Sequence, residues 1–229
     1  MSKVIELQNV TKRYGKKTAL HNVNLSVETG KIIGLLGPNG SGKTTLMKTI
    51  MRIIREQEGQ IYINGMPASY ETRKFISFMP DREFLYDTMT VQDAINYYKD
   101  MFEDFNIGKA YELSSLLQLN LGDKINELSK GTKEKAVLML TLSRQVPIYL
   151  LDEPLGALDP LIKHEMLTII KKESNENNVI MICTHLIKDT ESILDSGIFL
   201  KEGTVVEQFN LTDLGKDLET HYLEVFSNV

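Results

Sequence analysis

Apolar and polar residues alternate along Val4–Val10 and again along Val23–Val27, the period of two that half-buried strands carry. Gln60–Gly65 shows the same alternation and closes on Asn64-Gly65, a hairpin-turn pair. Lys31-Ile32-Ile33-Gly34-Leu35-Leu36 is a short continuous apolar run, which predicts a buried strand. Phe75–Met79 is another, ending at Pro80. From about residue 82 to 145 the period changes. Val91–Phe102 and Ser129–Arg144 predict helices and clear strands disappear, as in a mostly helical insert within an α/β domain. Strands return at Ile148–Leu151 and Val179–Thr184. They flank a helix opening at Asp159-Pro160, where Asp159 suits the N-cap and Pro160 the first helical position. Ile198–Leu200, Glu202-Gly203 and Thr204–Val206 predict a hairpin. Leu211, Leu214, Leu218, Tyr222, Val225 and Phe226 recur at helical spacing and predict one apolar stripe, facing either the chain's own core or a second subunit. Repeats, low-complexity segments and long linkers are absent from the sequence.

Between the buried strand and the next helical pattern, residues 37–45 read Gly37-Pro38-Asn39-Gly40-Ser41-Gly42-Lys43-Thr44-Thr45. This satisfies the phosphate-binding loop pattern in full. Strand, glycine loop and helix together aim backbone N–H groups and a helix N-terminus at one point, and that geometry holds phosphate. Gly37, Gly40 and Gly42 permit backbone conformations closed to residues with a Cβ. Lys43 is expected on the β- and γ-phosphates. The Thr44 hydroxyl is expected on Mg²⁺, and Thr45 near the α-phosphate. A second element supports this. Ile148-Tyr149-Leu150-Leu151-Asp152-Glu153-Pro154 is an apolar strand ending in two carboxylates. Such a strand delivers Asp152 to the Mg²⁺ shell in many nucleoside triphosphatases, and leaves Glu153 placed to polarise an attacking water.

Composition changes this picture little. The 229 residues suffice for one large domain or two joined subdomains, and 42% hydrophobic with 25% charged is ordinary for a soluble globular protein. A net charge of -5 without a basic block makes nucleic acid an unfavoured partner. One cysteine, Cys183, excludes an internal disulfide and lies in an apolar strand, as a core thiol does. No signal peptide or Arg-rich leader opens the sequence, and no apolar stretch nears the roughly 18–20 residues that span a bilayer. The expectation is a cytoplasmic protein that reaches a membrane through a partner.

With these motifs in this order, the sequence resembles the ATP-binding cassette (ABC) ATPases, the nucleotide-binding subunits of ABC transporters, over nearly its whole length. The resemblance implies an α/β fold: a P-loop NTPase core of ABC type, with an N-terminal antiparallel β subdomain and a helical subdomain insert. It implies a single nucleotide-binding domain over 1–229, with 1–81 and 146–229 as core and 82–145 as helical subdomain. It places Tyr14, in Lys12-Arg13-Tyr14-Gly15, as the ring that stacks on adenine. Asp152 becomes the metal-site aspartate and Glu153 the catalytic base. Leu155-Gly156-Ala157-Leu158-Asp159 becomes the loop crossing a dimer interface, and His185, in Thr184-His185, the residue on the γ-phosphate. His21, His164 and His221 have no such context.

The family signature appears as Leu128-Ser129-Lys130-Gly131-Thr132 where Leu-Ser-Gly-Gly-Gln is usual. Ser129 as N-cap, the helix N-terminus and the Gly131 amide would bind an anion. In the family that anion is the γ-phosphate held by the opposite subunit, so the resemblance implies a head-to-tail homodimer or heterodimer with two ATP molecules between the subunits. Lys130 and Thr132 depart from the pattern and are expected to retain function with altered affinity. A second departure is Asp81, in Phe78-Met79-Pro80-Asp81, where the family has Gln. It is either a further Mg²⁺ contact or a solvated loop residue. Phe84, Leu85 and Tyr86, in the stretch Glu83–Val91, are candidates either for contact with an integral membrane transporter subunit or for the local core. The implied function is ATP hydrolysis on the cytoplasmic face of the cell membrane, driving transport by that separate subunit. The compact form resembles subunits of small bacterial peptide or drug exporters. The alternatives are a soluble ABC ATPase acting on nucleic acid or ribosomes, and a regulatory ATP-binding module with little hydrolysis.

Overall fold

The computed structural model describes residues 2–81, 85–156 and 158–227. Long strands β1 (Lys3–Tyr14) and β2 (Lys17–Glu28) precede β3 (Lys31–Leu36), helix α1 (Lys43–Ile50), β4 (Glu58–Ile63), β5 (Met66–Pro67) and β6 (Ile76–Met79). Helices α2 (Val91–Met101), α3 (Ile107–Leu116) and α4 (Lys130–Leu142) follow. Then come β7 (Ile148–Asp152), α5 (Pro160–Glu173), β8 (Val179–Thr184), α6 (Ile187–Thr190), β9 (Ser196–Lys201), β10 (Thr204–Asn210) and α7 (Leu218–Ser227). One sheet, ordered β2-β1-β4-β5, is antiparallel. The other is ordered β10-β9-β3-β8-β7-β6, and its strands are parallel except β10, which runs antiparallel to β9.

The larger sheet is buried on both faces, so its inner strands read as unbroken apolar runs in the sequence. Their side chains still alternate. Ile32 and Leu36 of β3, Tyr149 and Leu151 of β7, and Ile180 and Ile182 of β8 enter a core shared with α2–α5. Ile33 and Leu35, Ile148 and Leu150, and Val179, Met181 and Cys183 face the other way, into a core shared with α1 and the antiparallel sheet. Cys183 is buried there as a free thiol.

Local chemistry sets most element ends. Asn64 and Gly65 both take positive φ, 50° and 75°, as a two-residue hairpin turn requires. Thr90 and Asp93 form a reciprocal capping box on α2. Ser129 caps α4 by accepting from Thr132 N. Asp159 caps α5 by accepting from Leu161 N and Ile162 N, with Pro160 in the first turn. The helix expected over Ser129–Arg144 is thus α4, with Ser129 and Ser143 as its caps. The C-terminal stripe is not one helix: Leu211 lies in a single 3₁₀ turn, and α7 starts only at Leu218, beyond Gly215 at φ 63°. Its apolar residues all pack on the chain's own core.

Arg144, just beyond α4, fastens the helical segment to the sheet. Its Nε and Nη2 donate to the two carboxylate oxygens of Asp104 at 2.7 and 2.6 Å, and Nη1 donates to the Ile76 carbonyl at 2.7 Å. The guanidinium also lies 4.1 Å from the ring centroid of Phe102.

Candidate nucleotide-binding and active site

Four parallel strands deliver chemistry to one edge of the large sheet, where open α/β sheets bind ligands. The glycine loop leaves the carboxyl end of β3. Asp152 ends β7, His185 follows β8, and Asp81 follows β6 by two residues. A cavity of about 830 Å³ opens there, lined among others by Tyr14, Asn39, Gly40, Gly42, Lys43, Thr44, Thr45, Asp81, Glu153 and His185.

The loop is pressed between β2 and β9. A Cβ on Gly42, whose φ is 108°, would stand 2.4 Å from the Ala19 carbonyl oxygen, and one on Gly37 would stand 2.1 Å from that of Leu200. Both positions therefore demand glycine for reasons of approach. Ser41 O accepts from Gly203 N at 2.8 Å, which ties the loop to the β9–β10 turn. Lys43 is buried and folds back over the loop, donating to Gly37 O at 2.7 Å and Pro38 O at 3.2 Å. The Ser41 hydroxyl oxygen is buried without a hydrogen-bond partner. A helix N-terminus at Lys43, its buried ammonium and an orphaned hydroxyl fit a phosphate chain.

Thr44 Oγ1 lies 3.3 Å from Asp152 Oδ1. These are two hard oxygen donors, and Mg²⁺ is commonly held by one or two such protein groups together with substrate phosphates. Burial raises the pKa of Asp152, while hydrogen bonds from Cys183 and Thr44 lower it and the charges of Asp81 and Glu153 raise it. Among the described residues no cluster of three or more His, Cys, Asp or Glu is arranged to hold a metal by itself.

Glu153 takes φ 52°, a left-handed conformation that costs a non-glycine residue about 1 kcal/mol or more. The cost is met by a hydrogen bond from its N to Cys183 O at 2.8 Å. Its carboxylate is then held from two sides. Thr184 Oγ1 donates to Oε2 at 3.2 Å, and His185 Nδ1 sits 3.0 Å from both Oε1 and Oε2. Tyr14, at the β1–β2 turn, is 48% exposed and forms the far wall of the cavity, with Lys12 Nζ 5.1 Å from its ring centroid.

Against this geometry, a family model described as ABC transporter matches residues 20–156. The chain belongs to the ABC transporter family. It is 30% identical over 217 residues to the ABC transporter ATP-binding protein YtrB of Bacillus subtilis, covering 93% of this chain and 74% of that one. It is 30% identical over 207 residues to the lantibiotic transport ATP-binding protein SrtF of Streptococcus pyogenes, covering 89% of each. Other relatives are named for choline transport and for sulfate/thiosulfate import. A solved ATP-binding subunit of an ABC transporter superposes with a TM-score of 0.88 at 25% identity, covering 97% of this chain and 99% of that one. The dimeric, post-hydrolysis ATP-binding cassette MJ0796 bound to ADP and Pi superposes with a TM-score of 0.79 at 26% identity, covering 90% and 98%. The fold is the P-loop core of the ABC type, and the chain is an ATP-binding, ATP-hydrolysing cassette.

The signature residues lie elsewhere. Ser129 and Gly131, at the start of α4, are not among the cavity's lining residues. Gly131 is buried where α4 meets α5, and a Cβ there would stand 2.6 Å from Ile162 Cδ1. Ser129 Oγ lies 2.7 Å from Thr132 Oγ1, so the departure from Gln leaves a hydroxyl partner for the cap. Gly156 lines the cavity, while Ala157 lies outside the described residues. Of the three candidates after Asp81, Leu85 packs on the local core and Tyr86 is exposed, edge-on to Tyr97. Phe84, like Glu83, lies outside the described residues. Lys17, Ala19, Lys163 and Leu186 also line the cavity and were missed by the sequence reading. They belong to no motif, and only the tertiary fold brings them there.

Proposed function

We propose that this chain is the ATPase subunit of a transporter for peptides or drugs, working in export with a separate integral membrane subunit from the cytoplasmic face of the membrane. The domain reading is one nucleotide-binding domain over 1–229, with 82–145 as the helical subdomain. Two copies, or this chain and a related one, would close head to tail around ATP. In that arrangement Ser129 and Gly131 of one subunit meet the γ-phosphate on the other, which accords with their lying off this chain's own cavity. The name of SrtF supports a peptide cargo. Among the described residues no helix is long and apolar enough to cross a membrane.

Each residue has a role that its chemistry supports. Tyr14 stacks on adenine. Gly37 to Gly42, with Pro38, Asn39, Gly40 and Ser41 between them, present amides to the phosphates, and Thr45 meets the α-phosphate. Lys43 exchanges its two loop carbonyls for the β- and γ-phosphates. Thr44, Asp152 and Asp81 are the residues assigned to Mg²⁺, which when bound neutralises charge on the phosphates. Glu153 takes a proton from the water that attacks the γ-phosphorus in line, ADP leaves with the bridging oxygen, and His185 orients both the carboxylate and the γ-phosphate.

The observation that carries this reading is the paired hold of Thr184 and His185 on the Glu153 carboxylate at the mouth of the phosphate loop. Glu153→Gln tests it. The variant is expected to bind ATP with unchanged affinity and to hydrolyse it about a hundredfold or more slowly. Turnover at the wild-type rate overturns the assignment. Capture of the chain from detergent-solubilised native membranes tests the partner. A stoichiometric multi-span protein is expected, and recovery with ribosomes or nucleic acid overturns the transporter reading.

A further inference from the structure

Lys163 Nζ donates to Asp189 Oδ2 at 2.6 Å. Lys163 stands in the first turns of α5, and Asp189 stands on α6, four residues beyond His185. The two segments they join are those that leave the sheet edge after Glu153 and after Thr184. Lys163 also lines the same cavity as Glu153 and His185.

Such a tie bears on the contact between Glu153 and His185, beside the packing of Leu186 and Ile187 on the core and the bond from Lys171 Nζ to Ser192 O at 3.4 Å. The imidazole is 54% exposed, so burial does not fix it. The helix behind it has four residues, and its N-cap, Leu186, makes no side-chain cap bond. A single short turn is a marginal support on its own. Local bonds hold it from within: Leu186 N donates to Thr184 Oγ1 at 3.0 Å, and Thr190 Oγ1 donates to Leu186 O at 3.0 Å. Neither bond joins the segment to the one that follows Glu153. Lys188 pairs with Glu219 across to α7, but both side chains are well exposed and that pair leads away from the cavity. Lys163 and Asp189 are 19% and 38% exposed, so their pair is partly shielded from solvent and joins the two segments directly.

We infer that the Lys163–Asp189 ion pair is a positioning device that holds the His185 segment against Glu153 and so sets the rate of hydrolysis. The inference rests on the roles assigned to Glu153 and His185 under the proposed function. Neither Lys163 nor Asp189 is asked to touch nucleotide. Small displacements of a catalytic pair lower turnover while leaving ground-state binding intact.

The test measures kcat and KM for ATP in the complex purified with its partner, for Lys163→Met, Asp189→Asn and the double variant, with Lys163→Arg and His185→Ala alongside. The expected result is a kcat loss of about tenfold in each single variant with KM unchanged within twofold. The double variant loses no more than either single one, and Lys163→Arg restores most of the rate. Loss confined to KM, or additive losses in the double variant, overturns the inference. Asp189→Asn is nearly isosteric, so it keeps the test open if Lys163→Met fails to fold. If His185→Ala is impaired while the single variants turn over normally, the ion-pair inference alone fails. If His185→Ala itself turns over normally, the underlying assignment of His185 fails instead.

Discussion

Replacing Arg144 by Met is the sharpest probe of how the helical segment is fastened to the sheet. Arg144 is 5% exposed. Its guanidinium makes two parallel bonds to Asp104, one to the Ile76 carbonyl, and a face contact with Phe102. Methionine keeps much of the stem volume but has no donor. Removing one partner of a buried ion pair costs about 3–5 kcal/mol, chiefly because the other charge is left unpaired. Asp104 is 26% exposed at its side chain and can turn to water, so the lower end applies, and a loss of about 3 kcal/mol is expected. The sequence contains no Trp and nine Tyr, so urea unfolding is followed by circular dichroism and tyrosine fluorescence, whose coincidence tests two-state behaviour. Asp104→Ala leaves the more deeply buried Arg144 with only carbonyls, and is expected to cost as much or more. The double variant should recover part of the summed loss, with a coupling of about 1 kcal/mol or greater. A loss below about 1 kcal/mol for Arg144→Met, with no coupling to Asp104, would refute the reasoning by showing that the guanidinium is paired mainly to water.

Three further outcomes follow from the site and the core. Tyr14→Ala removes the exposed ring at the cavity wall and is expected to weaken ATP binding by roughly tenfold, the worth of one base–aromatic stack, with kcat at saturation unchanged in equilibrium binding and steady-state assays. Asp81→Asn removes a negative charge from the cavity wall. It is expected to tighten ATP binding in EDTA by a factor on the order of five while changing Mg·ATP binding little or weakening it; equal effects in both conditions would make Asp81 a bystander. Tyr149 has its phenol pushed up to about 12, first by burial. A proton-binding group whose folded pKa lies above its unfolded one stabilises fully below the unfolded value, and that part is lost as pH rises from about 10 to about 12. Tyr149→Phe should therefore flatten the loss of stability over that window in urea titrations, and an unchanged slope would contradict it.

What the sequence disclosed was whatever is written in contiguous residues. The glycine loop, the strand that ends at Asp152, the Asp159-Pro160 helix start and the Asn64-Gly65 turn all announce themselves within a few positions, because each rests on local backbone chemistry. The hairpin of β9 and β10 was legible for the same reason. α3 was not individually marked; its start rests on Asn106 accepting from Lys109 N, a cap without a neighbouring proline or capping-box partner to announce it. The order β10-β9-β3-β8-β7-β6 was equally hidden, because nothing local in a buried strand names its neighbours. The C-terminal stripe was legible as a face that packs on the chain's own core, although its spacing spans a 3₁₀ turn and a break at Gly215.

The features left unread share a physical character: they join groups distant in sequence, and their importance is geometric. Gly42 belongs to a recognisable motif, yet its sharpest constraint is the Ala19 carbonyl of β2, 2.4 Å from where a Cβ would sit. Glu153 is conspicuous as an acid after a strand, but its positive φ and its hold on Cys183 O appear only when β7 and β8 are paired. Arg144 reaches 40 residues back to Asp104, and Lys163 reaches 26 forward to Asp189, with no spacing rule to link either pair. A motif states which groups a site contains. The angle and distance at which those groups meet come from ties of this second kind, so substitutions there should alter rate or stability while leaving every recognisable motif intact.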